Sequence, residues 1–303
     1  MPALAPEFAR HDRQLRNCAI MPTTLRNLDS VEGENVLARP PTIHHRSQET
    51  HLPVRTMRVP AGLISAVVAL VIWQAATSIW PLANSSVPTA TSTVARLWVM
   101  LFMSETWASI WLTVQMALVG FLIALAIAIP FGVLIGLSRF ALLSTKFTFD
   151  FFKVIPPIVI IPITILVFGP TQQMGVFLVV FALVFALAIQ TAYGVRDTDP
   201  VLIETMKCYG LGRTRQVLFA RLPAAAPFIA VGIRISVSAA MIVAVVAGLV
   251  GGAPGLGRDL LLSQTSGENA ETFAIVLILG ILGLAISRLV VLLQRRVIFW
   301  SPS

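Results

Sequence analysis

Charge is the scarcest thing in this chain. Of 303 residues only 12% are Asp, Glu, Lys or Arg, whereas 56% are hydrophobic, a balance that soluble domains do not have and that assigns the chain to lipid. Lysine occurs three times, at Lys146, Lys153 and Lys207, behind Thr145, Phe152 and Met206. A phosphate-cradling P-loop requires Gly-Lys followed by Ser or Thr, so the sequence holds no such loop and no nucleotide is expected on this chain. All four histidines fall within the first 57 residues, which leaves the apolar body without one. Cysteine appears twice, at Cys18 and Cys208. Both fall in segments read as cytoplasmic, where thiols stay reduced, and two cysteines make no disulfide or metal framework. A membrane enzyme would need a clustered His, Asp, Glu or Cys site; the body lacks one, so neither catalysis nor a metal is expected.

What charge there is lies unevenly. The first 60 residues hold eight Arg and six Asp or Glu, and the other 243 hold fourteen Lys or Arg and eight acids. Residues 1–57 show no helical or strand period and read as a cytoplasmic, mostly disordered tail; they carry no apolar run followed by a cleavage site. Residues 58–303 read as a membrane domain. A crossing needs about 20 apolar residues. Ala61 to Trp80 supplies one and the run from Thr106 to Ser138 a second, with Pro130 inside it. Val154 to Val195 is uncharged and long enough for two, divided at Gly169-Pro170-Thr171-Gln172-Gln173. Phe228 to Val250 and Phe273 to Leu293 complete six, joined by the glycine-rich stretch from Gly251 to Gly257. With both ends inside, eleven of the body's fourteen basic residues are cytoplasmic and only Arg96 and Arg258 lie outside, as the positive-inside rule requires. The net charge of +8 is accounted for in this way, and nucleic acid is not an expected partner.

Ionisable groups within spanning segments are costly and mark function. In these six cores there is no Asp, Glu or His, which removes a proton relay. Arg234 is the exception: it either lines a solute path or snorkels to the interface. Asp150 and Arg288 read as anchors at helix ends. The third crossing is rich in proline, at Pro156, Pro157 and Pro162. Prolines at membrane depth need neighbours or a cavity to satisfy the carbonyls they free, so this helix is placed inside a bundle and Pro156 and Pro162 are candidates for a translocation path. A secondary carrier is the alternative reading, but no internal repeat and no intramembrane acid support it.

One internal loop has a helical pattern of its own, residues 196–226. Asp199-Pro200 starts a helix, with Asp as N-cap and Pro at the first position. Val201, Leu202, Met206 and Tyr209 follow at helical spacing. Gly210 and Gly212 end it, and Arg213 to Arg221 is expected to form a second helix that stops near Pro223. This loop resembles the binding-protein-dependent transport permeases, whose loop reads E-A-A, three residues, G, nine residues, I-x-L-P. Here the same positions hold Glu204-Thr205-Met206, Gly210 and Ala220-Arg221-Leu222-Pro223. Val87-Pro88, Pro130-Phe131-Gly132, Ile155-Pro156, Ile161-Pro162, Phe168-Gly169, Gly232-Ile233-Arg234 and Gly255-Leu256-Gly257 are similar to the nitrate, sulfonate and taurine branch.

The resemblance implies an all-α, six-helix permease of the type I ABC importers (MetI-like), multi-pass in the bacterial cytoplasmic (inner) membrane with both termini cytoplasmic. It implies transport without catalysis: a separate ABC ATPase subunit binds ATP and Mg, an external solute-binding protein delivers a small anion such as nitrate, a sulfonate or taurine, and a second copy completes the path. It also implies that Glu204, Gly210, Leu222 and Pro223 mark the loop that docks on the ATPase. Two positions depart from the family. Thr205-Met206 replaces small residues, and Val246-Ala247-Gly248-Leu249 lacks the acid that many members carry late in helix five.

Overall fold

The computed structural model describes residues 61–79 and 87–297; the tail expected over 1–57 and the last six residues lie outside the described residues. All the regular elements within them are helical. They are α1 (Ala61–Ile79), α2 (Ala90–Leu101), α3 (Ser104–Gly136), α4 (Arg139–Val154), α5 (Pro157–Phe168), α6 (Gln172–Arg196), α7 (Pro200–Cys208), α8 (Arg213–Gln216), α9 (Leu222–Gly251), α10 (Leu256–Thr265) and α11 (Asn269–Val297). A short π-helical turn, Val217–Arg221, joins α8 to α9.

The bundle is built on α3, α6 and α9, and small residues let their backbones approach, as packing in lipid favours. A Cβ added at Gly132 would stand 2.5 Å from the carbonyl of Ala188, and one at Gly136 2.7 Å from that of Ala192, so α3 and α6 touch backbone to side. Met116, Leu178, Val179, Leu187, Ala240 and Ala244 fill the space between the three helices. Polar side chains at this depth turn onto their own helices: the Thr191 hydroxyl donates to Leu187 O at 2.8 Å. Thr113 does more, since its hydroxyl donates to Ser109 O and accepts from Leu256 N across the fold at 2.9 Å.

Four stretches are long and apolar enough to cross a membrane one by one: α3, α6, the continuous run Arg213–Gly251 and α11. The pair α4 and α5 passes the same test together, bent by 83° at its break. α1 has 19 residues and is strongly apolar, but stands at the margin of the bundle, held through Trp73 against Phe273 at 5.8 Å and through Gln74, whose side chain accepts from Thr91 N.

Several local expectations change. The loop helix does not stop near Pro223. Leu222 N–H donates to Val217 O across the widened turn, the ring of Pro223, which has no N–H to give, follows in the first turn of α9, and the chain runs on as one span. The third crossing begins at Pro157 and has 12 residues, about 18 Å, too short to cross alone. α2, α4 and α10 occupy stretches expected to be loops. Cys18 lies outside the described residues.

Candidate functional site

The loop at residues 196–226 folds as a helix, a corner and a second helix. Asp199 caps α7, its carboxylate accepting from Val201 N at 2.8 Å, and Pro200 takes the first helical position. Buried Thr198 ties the entry to α6 by donating to Val195 O. At the far end the Tyr209, Gly210 and Leu211 amides donate back to Thr205 O, Lys207 O and Met206 O at 3.1, 2.9 and 3.0 Å. The chain then turns through Gly210 at φ +72°, a conformation that costs a residue with Cβ. Space is not the reason for glycine, because nothing stands within 4 Å of the added Cβ. Gln216, buried, braces the corner with its amide donating to Leu211 O at 2.7 Å.

This corner faces away from the bundle. Glu204 is exposed, Tyr209 is 81% exposed and Phe219 71%. Glu204 makes no ion pair among the described residues. The same loop carries Lys207, Arg213, Arg215 and Arg221. A carboxylate within a basic, partly apolar, exposed corner is equipped to contact another protein and has no partner chemistry of its own.

The opposite end of the bundle is acidic. Glu105, Asp259, Glu268 and Glu271 line a cleft of about 270 Å³ there. Arg96 on α2 pairs with Glu271 at the start of α11 and lies 3.5 Å from Glu268. The hydrogen bond with Glu271 comes first among the causes that hold the Arg96 guanidinium above its ordinary pKa, and the pair clamps α2 to α11.

The path candidates do not form one cluster. Arg234 lies on α9, exposed, in a stripe with Val231, Ile235, Ser238 and Ile242. Pro162 sits inside α5, beside buried Ile161 and Thr164. Pro156 is at the elbow between α4 and α5. Asp150 lies near the C-terminal end of α4. Phe152 stacks on Phe185 at 5.0 Å and Phe149 meets the same ring at 5.5 Å. Phe185 is the fourteenth of the 25 residues of α6, while Leu142, nearer the start of α4, packs with Ile135 and Ala192. Asp150 and Lys153 lie 3.4 Å apart on α4, both partly exposed. Sequence reasoning missed this helix because the amphipathic stretch 139–154 reads as a loop. The signal was available in Phe140, Leu143, Phe147, Phe151 and Val154, an apolar stripe at helical spacing beside Arg139, Lys146 and Lys153.

Residues 128–299 match the family model described as "Binding-protein-dependent transport system inner membrane component". A Brucella abortus (strain 2308) protein named as an ABC transporter permease is 32% identical over 194 residues, 63% of this chain and 77% of the relative. The aliphatic sulfonates transport permease protein SsuC of Bacillus subtilis (strain 168) is 26% identical over 80% of this chain and 88% of its own length. The nitrate import permease protein NrtB of Leptolyngbya laminosa is 27% identical over 61% and 67%. A chain of the MetNI methionine ABC transporter, solved in an inward-facing conformation, has the same fold at a TM-score of 0.58 with 22% identity, covering 64% of this chain and 96% of that one.

Proposed function

We propose, from the premise that this chain belongs to the binding-protein-dependent transport system inner membrane component family, that it is the permease of an ATP-driven importer for a small anion such as nitrate or a sulfonate. The chain is a multi-pass membrane protein and a transport component, not an enzyme. Coupling to a separate ATPase, delivery by an external binding protein and the choice of anion are the proposed part. The observation that carries the reading is the exposed corner at Gly210, with Glu204 on its first helix and Leu222-Pro223 where its second helix runs without a break into the spanning α9. A push on α7 and α8 from a docked ATPase is transmitted along a rigid rod of 39 residues into the bundle. ATP and Mg bind the ATPase subunit.

Orientation follows from charge. The corner carries Lys207, Arg213, Arg215 and Arg221, while the acids at the other end outnumber their arginines, so the corner is the cytoplasmic side. With α1 as the first crossing and the α4–α5 pair as the third, the count is six and both termini are cytoplasmic. A second copy completes the path, to which Arg234, Pro156 and Pro162 contribute. Similarity to permeases named for sulfonates and nitrate supports an anionic solute.

Co-purification tests the docking role. A P-loop ATPase is expected to stay bound to this chain in detergent, and Glu204→Lys should weaken that association at least tenfold and abolish ATPase-coupled transport. Full retention of both by the Glu204→Lys protein would refute the assignment.

A further inference from the structure

A groove runs along the side of the bundle between α3, α9 and α11. Phe121, Ala240 and Met241, all buried, form its floor, and Leu118, Leu289 and Leu293, each more than half exposed, form its rim. It encloses about 600 Å³, the size of a ligand site, and follows α9 from Leu222 to Met241, about 28 Å at the rise of a helix. A space of that length suits a chain rather than a compact molecule. Gln294 is the sole polar residue in its lining, and that amide is already engaged, donating to Ala230 O at 2.6 Å. Nothing in the groove can replace the hydration of an anion, so this is not the solute path. One wall, α11, buries only 11% of its apolar window, against 28% to 44% in the other three long spans. An occupant of the groove would therefore hold a helix that the chain itself holds weakly.

Charge marks one end of the groove. Arg221 immediately precedes Leu222, and Arg296 stands two residues beyond Gln294. Arg221 is half-buried, Arg296 is exposed, and neither makes an ion pair among the described residues. We infer that the groove holds an acyl chain of an anionic phospholipid of the cytoplasmic leaflet, whose phosphate is held by Arg221 and Arg296. This rests on the orientation proposed above, which puts the corner, and with it this end of α9, on the cytoplasmic side. Basic residues at the cytoplasmic mouth of a space between spanning helices are suited to anionic headgroups, and a guanidinium meets a phosphate with two parallel N–H donors. A spanning helix of a second copy would fill the apolar part but leave both arginines without a counter-charge, because the spanning cores contain no Asp or Glu. The lipid supplies both halves of what the groove offers, and by filling it ties α11 to α9.

Lipid competition tests this without knowledge of the solute. The full chain bound to its ATPase is stripped of lipid in detergent and given palmitoyl-oleoyl phosphatidylglycerol or the phosphatidylcholine with the same chains, and the lipid each complex keeps is weighed by native mass spectrometry. Phosphatidylglycerol should be kept at least about tenfold better. Arg221→Gln with Arg296→Gln should make the two lipids equal, and Ala230→Phe, which puts a ring into the groove, should remove the kept lipid altogether. Equal retention of both lipids by the parent would show an ordinary lipid annulus and overturn the inference, as would a kept phosphatidylglycerol that survives Ala230→Phe. A second measurement does not depend on the folding of that variant. In bilayers, Leu289→Trp at the rim should be quenched more strongly by phosphatidylglycerol brominated on its acyl chain than by brominated phosphatidylcholine; no quenching by either would show a groove covered by protein and would also overturn it. Retention of the ATPase in the same preparations reports on the permease reading separately, so failure of one is distinguishable from failure of the other.

Discussion

Replacing Gly210 by alanine isolates what a glycine does in a docking corner. At φ +72° a Cβ costs about 1–2 kcal/mol, and since nothing lies within 4 Å of it there is no clash to add. Gly212, two residues on, is equally open in space but sits at φ −64°, where alanine is at ease. Gly210→Ala should therefore shift the corner away from its docked shape by about 5-fold to 30-fold, at 1.4 kcal/mol per factor of ten, while Gly212→Ala should shift it little or improve it. The strain is local, because the corner projects from the bundle and the cores of α3, α6 and α9 are untouched. The assay is the dissociation constant for the ATPase subunit in detergent, read beside the melting temperature of the permease alone. The account expects a loss of affinity for Gly210→Ala only, with melting within a few degrees of the parent. Equal effects of the two substitutions, or a greater effect at Gly212, would refute the claim that backbone conformation makes Gly210 necessary.

Two further substitutions test the packing that holds the bundle. Thr113→Val removes the acceptor for the buried Leu256 N–H and should cost about 1–3 kcal/mol, seen as a melting temperature several degrees lower, whereas Thr113→Ser should keep most of the stability. Arg96→Ala breaks the clamp on Glu271 and Glu268, but that pair is partly exposed to solvent, so the loss should be at most about 1 kcal/mol and should shrink in 1 M salt.

What could be read from the residues alone was local or long. The corner was visible because its causes are adjacent in sequence: Asp199 and Pro200 start the helix and Gly210 ends it. The turn at Gly169 was visible for the same reason, with Gly169 at φ +67° and Thr171 capping α6 through Met174 N. The long spans declared themselves by length. The short amphipathic helices did not, since α2, α4 and α10 have 12, 16 and 10 residues and break the uncharged runs that mark crossings. That Phe149 and Phe152 of α4 meet Phe185 of α6 is a tertiary fact. Pro223 misled for a related reason: a proline ordinarily ends a helix, but the π turn before it lets the helix continue.

The central claim is that ATP hydrolysed on another subunit drives solute through this chain. Proteoliposomes containing the permease, its ATPase and the external binding protein, with ATP on the ATPase side, should take up the solute that the binding protein holds, and omitting ATP or the ATPase should abolish accumulation. Accumulation by the permease alone, driven by an imposed ion gradient without ATP, would contradict the account and make the protein a secondary carrier.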